Sequence, residues 1–534
     1  MTARKTVQWF LALLPALFIS VFVLVPFSDM LLRFLSPGSI MAIAGNSLIG
    51  TLTARAIKNS LIQGILSALF AYMAGVPMGF FLGRYEVRFG RLLRSFAIVP
   101  FFLPSIVVVT SFVSGFGPLS PFPVSALSSG LSGIVAINVF FNAPLVAMMT
   151  MLSVETADIT LEEAAMTLGA SEARRFFTVT GREGLVAGAG GALLAFLYSF
   201  AGFTAPLIIG GPGYFTVEAW IYYMVRTVNN IGFAAVLSFV EAAALLVPAV
   251  IYFVFVARSR KVYGTGRAGG RQYPRGIFFT AGSVYAALWI LFEGYVLVSV
   301  FSSSFHTARG GPSLANYLAL FGPLTYSALG VSAAAAVVNS IFYGVMTAAI
   351  VTSVGLLWIY GKRRISSGIL AASDTLQFMP LVVSAIILSF SLAVTFGFSG
   401  GFRYDWMLIT LAQSVIAIPV VLRVIESGFN AIPPSYAEAA TTLKGNSFFE
   451  IELPLARSTL ASALVFGFAL SLGEFTATNF LSTTAYTPLG VQIYSLQAVR
   501  LFGPADAATA ILLLMSLASF YIIQRIGEAF VAIR

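Results

Sequence analysis

The sequence predicts an all-α integral membrane protein, with about twelve transmembrane helices in two parallel six-span homologous halves and both termini in the cytoplasm. Three observations predict it: composition, a series of long apolar runs, and an internal repeat. Of 534 residues, 58% are hydrophobic and only 9% are charged, against roughly 25% charged in soluble domains. No Cys and a single His, His306, remove disulfides, thiolate metal sites, Cys nucleophiles and multi-histidine sites. With no catalytic or metal-ligating constellation in the sequence, the chain reads as a non-enzyme that binds no cofactor of its own.

Runs of about 20 apolar residues can cross a ~30 Å hydrocarbon core. They fall near 8–28, 58–82, 95–115, 131–153, 184–209, 234–256, 277–302, 336–360, 368–397, 406–425, 459–482 and 506–526. The fifth, ninth and eleventh leave room for re-entrant or interfacial pieces. Arg4 and Lys5 before the first run imitate a signal peptide, but the run is long and lacks a small-x-small cleavage site, so it reads as a retained helix. Basic residues gather at even-numbered exits: Arg84, Arg88, Arg91 and Arg94 after the second run, Arg174, Arg175 and Arg182 after the fourth, Arg258 to Arg275 after the sixth, and Lys362 to Arg364 after the eighth. The opposite connections are thinly basic, which places both termini in the cytoplasm and makes the chain multi-pass in the cell membrane. The net charge of +10 then reports membrane topology, and a nucleic-acid partner is not expected.

The phrase EEAAMTLGASEARRFF begins at Glu162, and AEAATTLKGNSFFEIELP begins at Ala437, an offset of 275 (438 − 163) between their Glu-Ala-Ala triplets. Asn59-Ser60 pairs with Asn339-Ser340 at 280, Phe102-Leu-Pro104 with Phe378-Met-Pro380 at 276, Pro144 with Pro419 at 275, and Phe203-Thr-Ala205 with Phe475-Thr-Ala477 at 272. Offsets that shift so little mark two homologous halves, 1–257 and 277–534, and the even span number makes them parallel. The Gly/Arg-rich 258–276 is the linker between them. Its Gly264-x-Gly266-x-x-Gly269 has no preceding strand and reads as linker rather than a nucleotide loop.

Each phrase opens with a capping box, Thr160-x-x-Glu163 and Ser435-x-x-Glu438, and runs on to a helix-ending glycine, Gly169 or Gly445. A short separate helix follows, presenting Ala164 and Ala165, or Ala439 and Ala440. Two readings stand on these residues alone: a capped linker between spans, or a docking helix. Glu163-Ala-Ala-x-x-x-Gly169 and its second copy resemble the cytoplasmic EAA loop of permease subunits of binding-protein-dependent ABC importers, of the type I, methionine-permease-like fold. The first copy has Gly181-Arg182 where that loop has Leu-Pro. The second keeps Ile451-x-Leu453-Pro454 but is three residues short, with Lys444 at the glycine position. LIIGGPGYFTVEAWIYYMV and SLGEFTATNFL are similar to fused permeases of the iron(III) and thiamine import group. The resemblance implies that the two helices dock two ATP-binding-cassette ATPase subunits, which use ATP elsewhere, and that an external substrate-binding protein delivers iron(III), thiamine or a similar small solute. The chain has no GxxxxGK[ST] of its own. The rival is an ion-gradient-driven transporter of major-facilitator type, also two parallel six-span halves.

Ionisable groups inside spans are costly and therefore functional candidates. Glu474 breaks the pseudo-symmetry, its counterpart being Gly202, and has two readings, cargo contact or helix-to-backbone bonding. Asp374 is a gating candidate close to the Lys362–Arg364 cluster. Asn142, Pro144 and Pro419 sit in the paired fourth spans, where a proline kink competes with lining the path. Glu293 reads as peripheral. Glu241 opens a third Glu-Ala-Ala, but inside an apolar span with no following glycine, and reads as coincidence.

Overall fold

The computed structural model describes residues 3–34, 38, 41, 45, 47–157, 159–171, 174, 178, 180–259, 276–306, 311–363, 374, 376–377, 379–381, 383–397, 405–433, 435–436, 440, 442 and 446–531. Among these, nine helices are long and apolar enough to span a bilayer, and two sharply bent pairs raise the number to eleven. Individual runs of the expected series take a different form at specific places. The third run is broken: Gly90–Phe102 and Ser105–Phe116 meet at 101°, because Leu103 before Pro104 is extended (φ −78°, ψ 147°), the conformation that a following proline imposes. The fifth and eleventh runs stop early, as Thr180–Phe200 and Arg457–Gly473, each followed by a short element, Pro206–Gly210 or Thr476–Leu481. Ser447–Leu455 meets Arg457–Gly473 at 62° just after Pro454. Of the ninth run only 374, 376–377, 379–381 and 383–397 are described, and residues 260–275 of the expected linker lie outside the described set.

The repeat reappears as matched hydrogen bonds. Asn59 Nδ2 donates to the Phe215 carbonyl at 3.1 Å, and Asn339 Nδ2 to that of Thr487 at 3.0 Å. Ser60 Oγ accepts from the Val217 amide at 3.0 Å, and Ser340 Oγ from that of Leu489 at 2.8 Å. In both sets the offset falls from 280 (339 − 59) on one partner to 272 (489 − 217) on the other. Each bond fastens the second long helix of a half, Ser47–Arg84 or Ala333–Lys362, to the loop that enters a short helix, Val217–Arg226 or Leu489–Ala498.

Apolar helices gain little from burial against one another in lipid, so close backbone contact through small residues holds them together. Gly75, Gly79 and Gly83 form one stripe of Ser47–Arg84. A Cβ there would come within 2.5, 2.5 and 2.9 Å of the carbonyls of Ala143, Ala147 and Met151 on Gly130–Thr156. Each half also lends its first helix to the other. Ala3–Ile19 packs on Ala333–Lys362, while Gly276–Ser304 packs on Ser105–Phe116 and Ser47–Arg84. Gly361 faces the backbone of Ala12, and Gly282 faces the Phe81 ring, at these exchanged contacts.

Candidate functional site

The first repeated phrase forms the helix Ile159–Thr167, after an extended Ala157 (ψ 142°) that ends Gly130–Thr156. Thr160 lies in its first turn. The end is as expected. Gly169 takes φ +78°, its amide reaches the Met166 carbonyl at 2.9 Å, and the Ala170 amide reaches Ala165 at 3.0 Å, the two bonds of a Schellman motif. Sequence reasoning missed the division of labour between the two glutamates. Glu162 is buried and makes a two-pronged pair with Arg84 at the end of Ser47–Arg84, at 2.9 and 3.4 Å. Glu163 and Ala164 are exposed and Ala165 is half-buried. Leu161, Met166 and Leu168 are 51, 55 and 87% exposed, an apolar edge beside an outward-facing carboxylate. A second pair, Arg94 with Glu155 at 2.9 Å, braces the same corner.

Glu438, Ala439 and Gly445 lie outside the described residues; Ser435 is helical and exposed, and Ala440 is 4% exposed. The support next to the second phrase is built differently. Arg363, at the end of the matching long helix, pairs with Glu452 at 2.7 Å, and the position of Glu162 is taken in the repeat by Ala437. Lys362 sits between Asp374 at 2.5 Å and Glu426 at 2.8 Å. Asp374, a gating candidate, is thus part of an ionic cluster with Lys362, Glu426 and Gln377. Phe448 stacks on Phe429 at 5.7 Å beside Arg363, whose guanidinium lies over the Phe429 ring.

Between the halves, Phe203 and Phe475 face each other with ring centroids 6.0 Å apart, and the side chains of Tyr222 and Tyr494 lie close to each other. Both are repeat-equivalent pairs at offset 272. Equivalent residues of a two-fold repeat meet only at its axis, so these four rings mark the pseudo-axis and close it. Glu474 is half-buried and accepts from the Ala477 amide at 2.9 Å, the Thr478 amide at 3.0 Å and Thr478 Oγ1 at 2.8 Å. These bonds cap the short helix Thr476–Leu481, so of its two readings the structure displays backbone bonding. It also lines a cavity of 20 Å³ with Ser340, Tyr343, Gln413 and Ser471, about the room one water needs. Asn142 donates to Ser199 Oγ at 3.2 Å within its own half. Pro144 is buried at the glycine-stripe crossing, and Pro419 is buried in Asp405–Asn430.

Comparison with known proteins gives this geometry a context. The chain is 24% identical over 477 residues to a putative ferric transport system permease protein of Haemophilus influenzae, covering 84% of this chain and 73% of that protein. It is 25% identical over 480 residues to a thiamine transport system permease protein of the same organism, covering 85 and 84%. A molybdate/tungstate transport system permease protein of Pyrococcus furiosus is 29% identical over 221 residues, covering 41% of this chain and 82% of that protein. The model of the binding-protein-dependent transport system inner membrane component matches twice, over residues 75–261 and 344–532. The chain therefore belongs to the inner membrane components of binding-protein-dependent transport systems, and carries two copies of that component in one polypeptide.

Proposed function

We propose that this chain alone forms the membrane path of an ABC importer, with its termini and both EAA helices on the cytoplasmic side. Two ATPase subunits dock there, one on Ile159–Thr167 and one on the second repeated phrase at Glu438, and an external binding protein delivers cargo at the opposite face. The observation that carries the reading is the exposed Leu161, Glu163, Met166 and Leu168 on a helix whose other side is fastened by Glu162 to Arg84. Such a helix offers a partner an apolar surface with one anchoring charge, and transmits force to the long helix Ser47–Arg84 through a stiff ion pair. ATP binding draws the two docking helices together, rocks the halves about the pseudo-axis and opens the ring closure at Phe203 and Phe475. A near-complete switch requires ATP and partners to favour one state by about 5.5 kcal/mol.

Cargo follows from coverage and charge. The ferric and thiamine relatives match across both halves, whereas the molybdate/tungstate relative matches 41% of the chain. Glu218 lies close enough to both Glu241 and Glu474 to feel their charge, and among the described residues Arg84 is the only buried basic side chain. This lining suits a cation such as iron(III) or thiamine and repels an oxyanion. Reconstitution of the chain with its ATPase and binding protein in vesicles tests the reading: ATP-dependent uptake of ferric ion or thiamine supports it. Uptake driven by an ion gradient with no ATPase present would favour the secondary-transporter reading.

A further inference from the structure

Two carboxylates near the axial closure have no structural partner to explain them. Glu241 is 0% exposed and neither of its carboxylate oxygens has a hydrogen-bond partner; Glu218 is 1% exposed with Oε2 unpartnered. Val217–Arg226 turns directly into Ile231–Ser259, and the two helices pack together. Glu218 stands eight residues before Arg226 and Glu241 ten after Ile231, so at 1.5 Å per residue they lie about 12 and 15 Å from the turn, level with each other. Glu218 is also one turn before the axial Tyr222, on the same helix face. Its other neighbours, Ser384 and Glu474, come from the second half. The repeat supplies no copy, since Glu218 is matched by Gly490 and Glu241 by Leu513. A buried carboxylate pair without a cationic partner is costly, and three buried oxygens without a hydrogen-bond partner offer a passing cation what the protein itself does not.

We propose that Glu218 and Glu241 form a one-sided cation station beside the Phe203/Phe475 closure, where a positively charged cargo pairs in transit. The proposal rests on the importer reading and deepens it. Two carboxylates and a hydroxyl, fewer ligands than a closed structural metal site uses, suit a stop that must also release. Trp220, two residues beyond Glu218 and stacked on Tyr223 at 5.3 Å, gives a readout. With the full chain in lipid nanodiscs, Tb³⁺ added alone, as a trivalent probe, is excited through tryptophan. Saturable Tb³⁺ emission is expected from the wild type, with at least a tenfold loss of apparent affinity in Glu218→Gln/Glu241→Gln and none in Glu86→Gln, at an exposed position. The single substitutions provide the same test should the double variant fail to fold. Equal emission from wild type and folded variants, or no emission from the wild type, overturns the station. Co-purification of an ATPase with these proteins is scored separately: its presence with no Tb³⁺ difference removes only the station, and its absence removes the importer reading.

Discussion

Arg84 and Glu162 join the end of the longest helix to the exposed Ile159–Thr167 helix through two contacts, 2.9 and 3.4 Å, with side chains only 7 and 10% exposed. Removing one partner of a buried pair leaves an uncompensated charge and costs about 3–5 kcal/mol. Glu162→Ala is expected to lower the unfolding temperature of the purified chain clearly. Glu163→Ala, exposed, is expected to stay within about 0.5 kcal/mol of wild type. Thermal unfolding in detergent followed by tryptophan fluorescence separates the two; equal losses would contradict the assignment of anchor and docking roles.

Gly169 at φ +78° has open space around it, so any cost of a side chain there is conformational. Gly169→Ala is expected to cost about 1 kcal/mol and fray the end of the helix, with Gly169→Asn milder. Faster amide exchange at Leu168, Gly169 and Ala170, with exchange in Gly130–Thr156 unchanged, is the expected signature.

The glycine stripe makes a sharper stability prediction. A Cβ at Gly79 would stand 2.5 Å from both the Ala147 carbonyl and Thr150 Cβ, whereas one at Gly294 meets nothing within 4 Å. Gly79→Val should abolish stable membrane expression and Gly294→Val should leave it unchanged, as judged by yield and monodispersity on size exclusion. Comparable behaviour of the two would remove close backbone packing as the basis of the first half.

Because the chain has no cysteine, the axial closure can be probed with introduced pairs. Phe203→Cys/Phe475→Cys is expected to cross-link within one chain with a short bismaleimide and to stop uptake, while each single variant transports. Transport at wild-type rate after complete cross-linking would show that cargo does not pass between these residues.

Much of this was legible in the sequence because it is periodic. Matching offsets located the two halves, and the hydrogen bonds of Asn59 and Asn339 later fell at those offsets. Gly169 was readable because left-handed backbone strongly favours glycine. The third span was not readable as a broken one, since its apolar run continues through Leu103-Pro104 and hydropathy carries no direction. Nor was the role of Glu162, which depends on Arg84, 78 residues away; the one available signal was its mismatch with Ala437 in the repeat. Glu218 escaped notice because it stands in a mixed aromatic segment outside the long apolar runs, and only the fold brings it to the axis.

In the proposed importer the two repeated phrases, at Glu163 and at Glu438, recruit the ATPase. Affinity purification of the chain from its native membrane, with an ATPase assay on what co-purifies, tests it most directly, run in parallel on wild type and on Glu163→Ala/Glu438→Ala. ATPase activity is expected with the wild type and its loss from the double variant, with the unfolding temperature unchanged. An ATPase that binds both equally, or none that binds the wild type under gentle conditions, would contradict it.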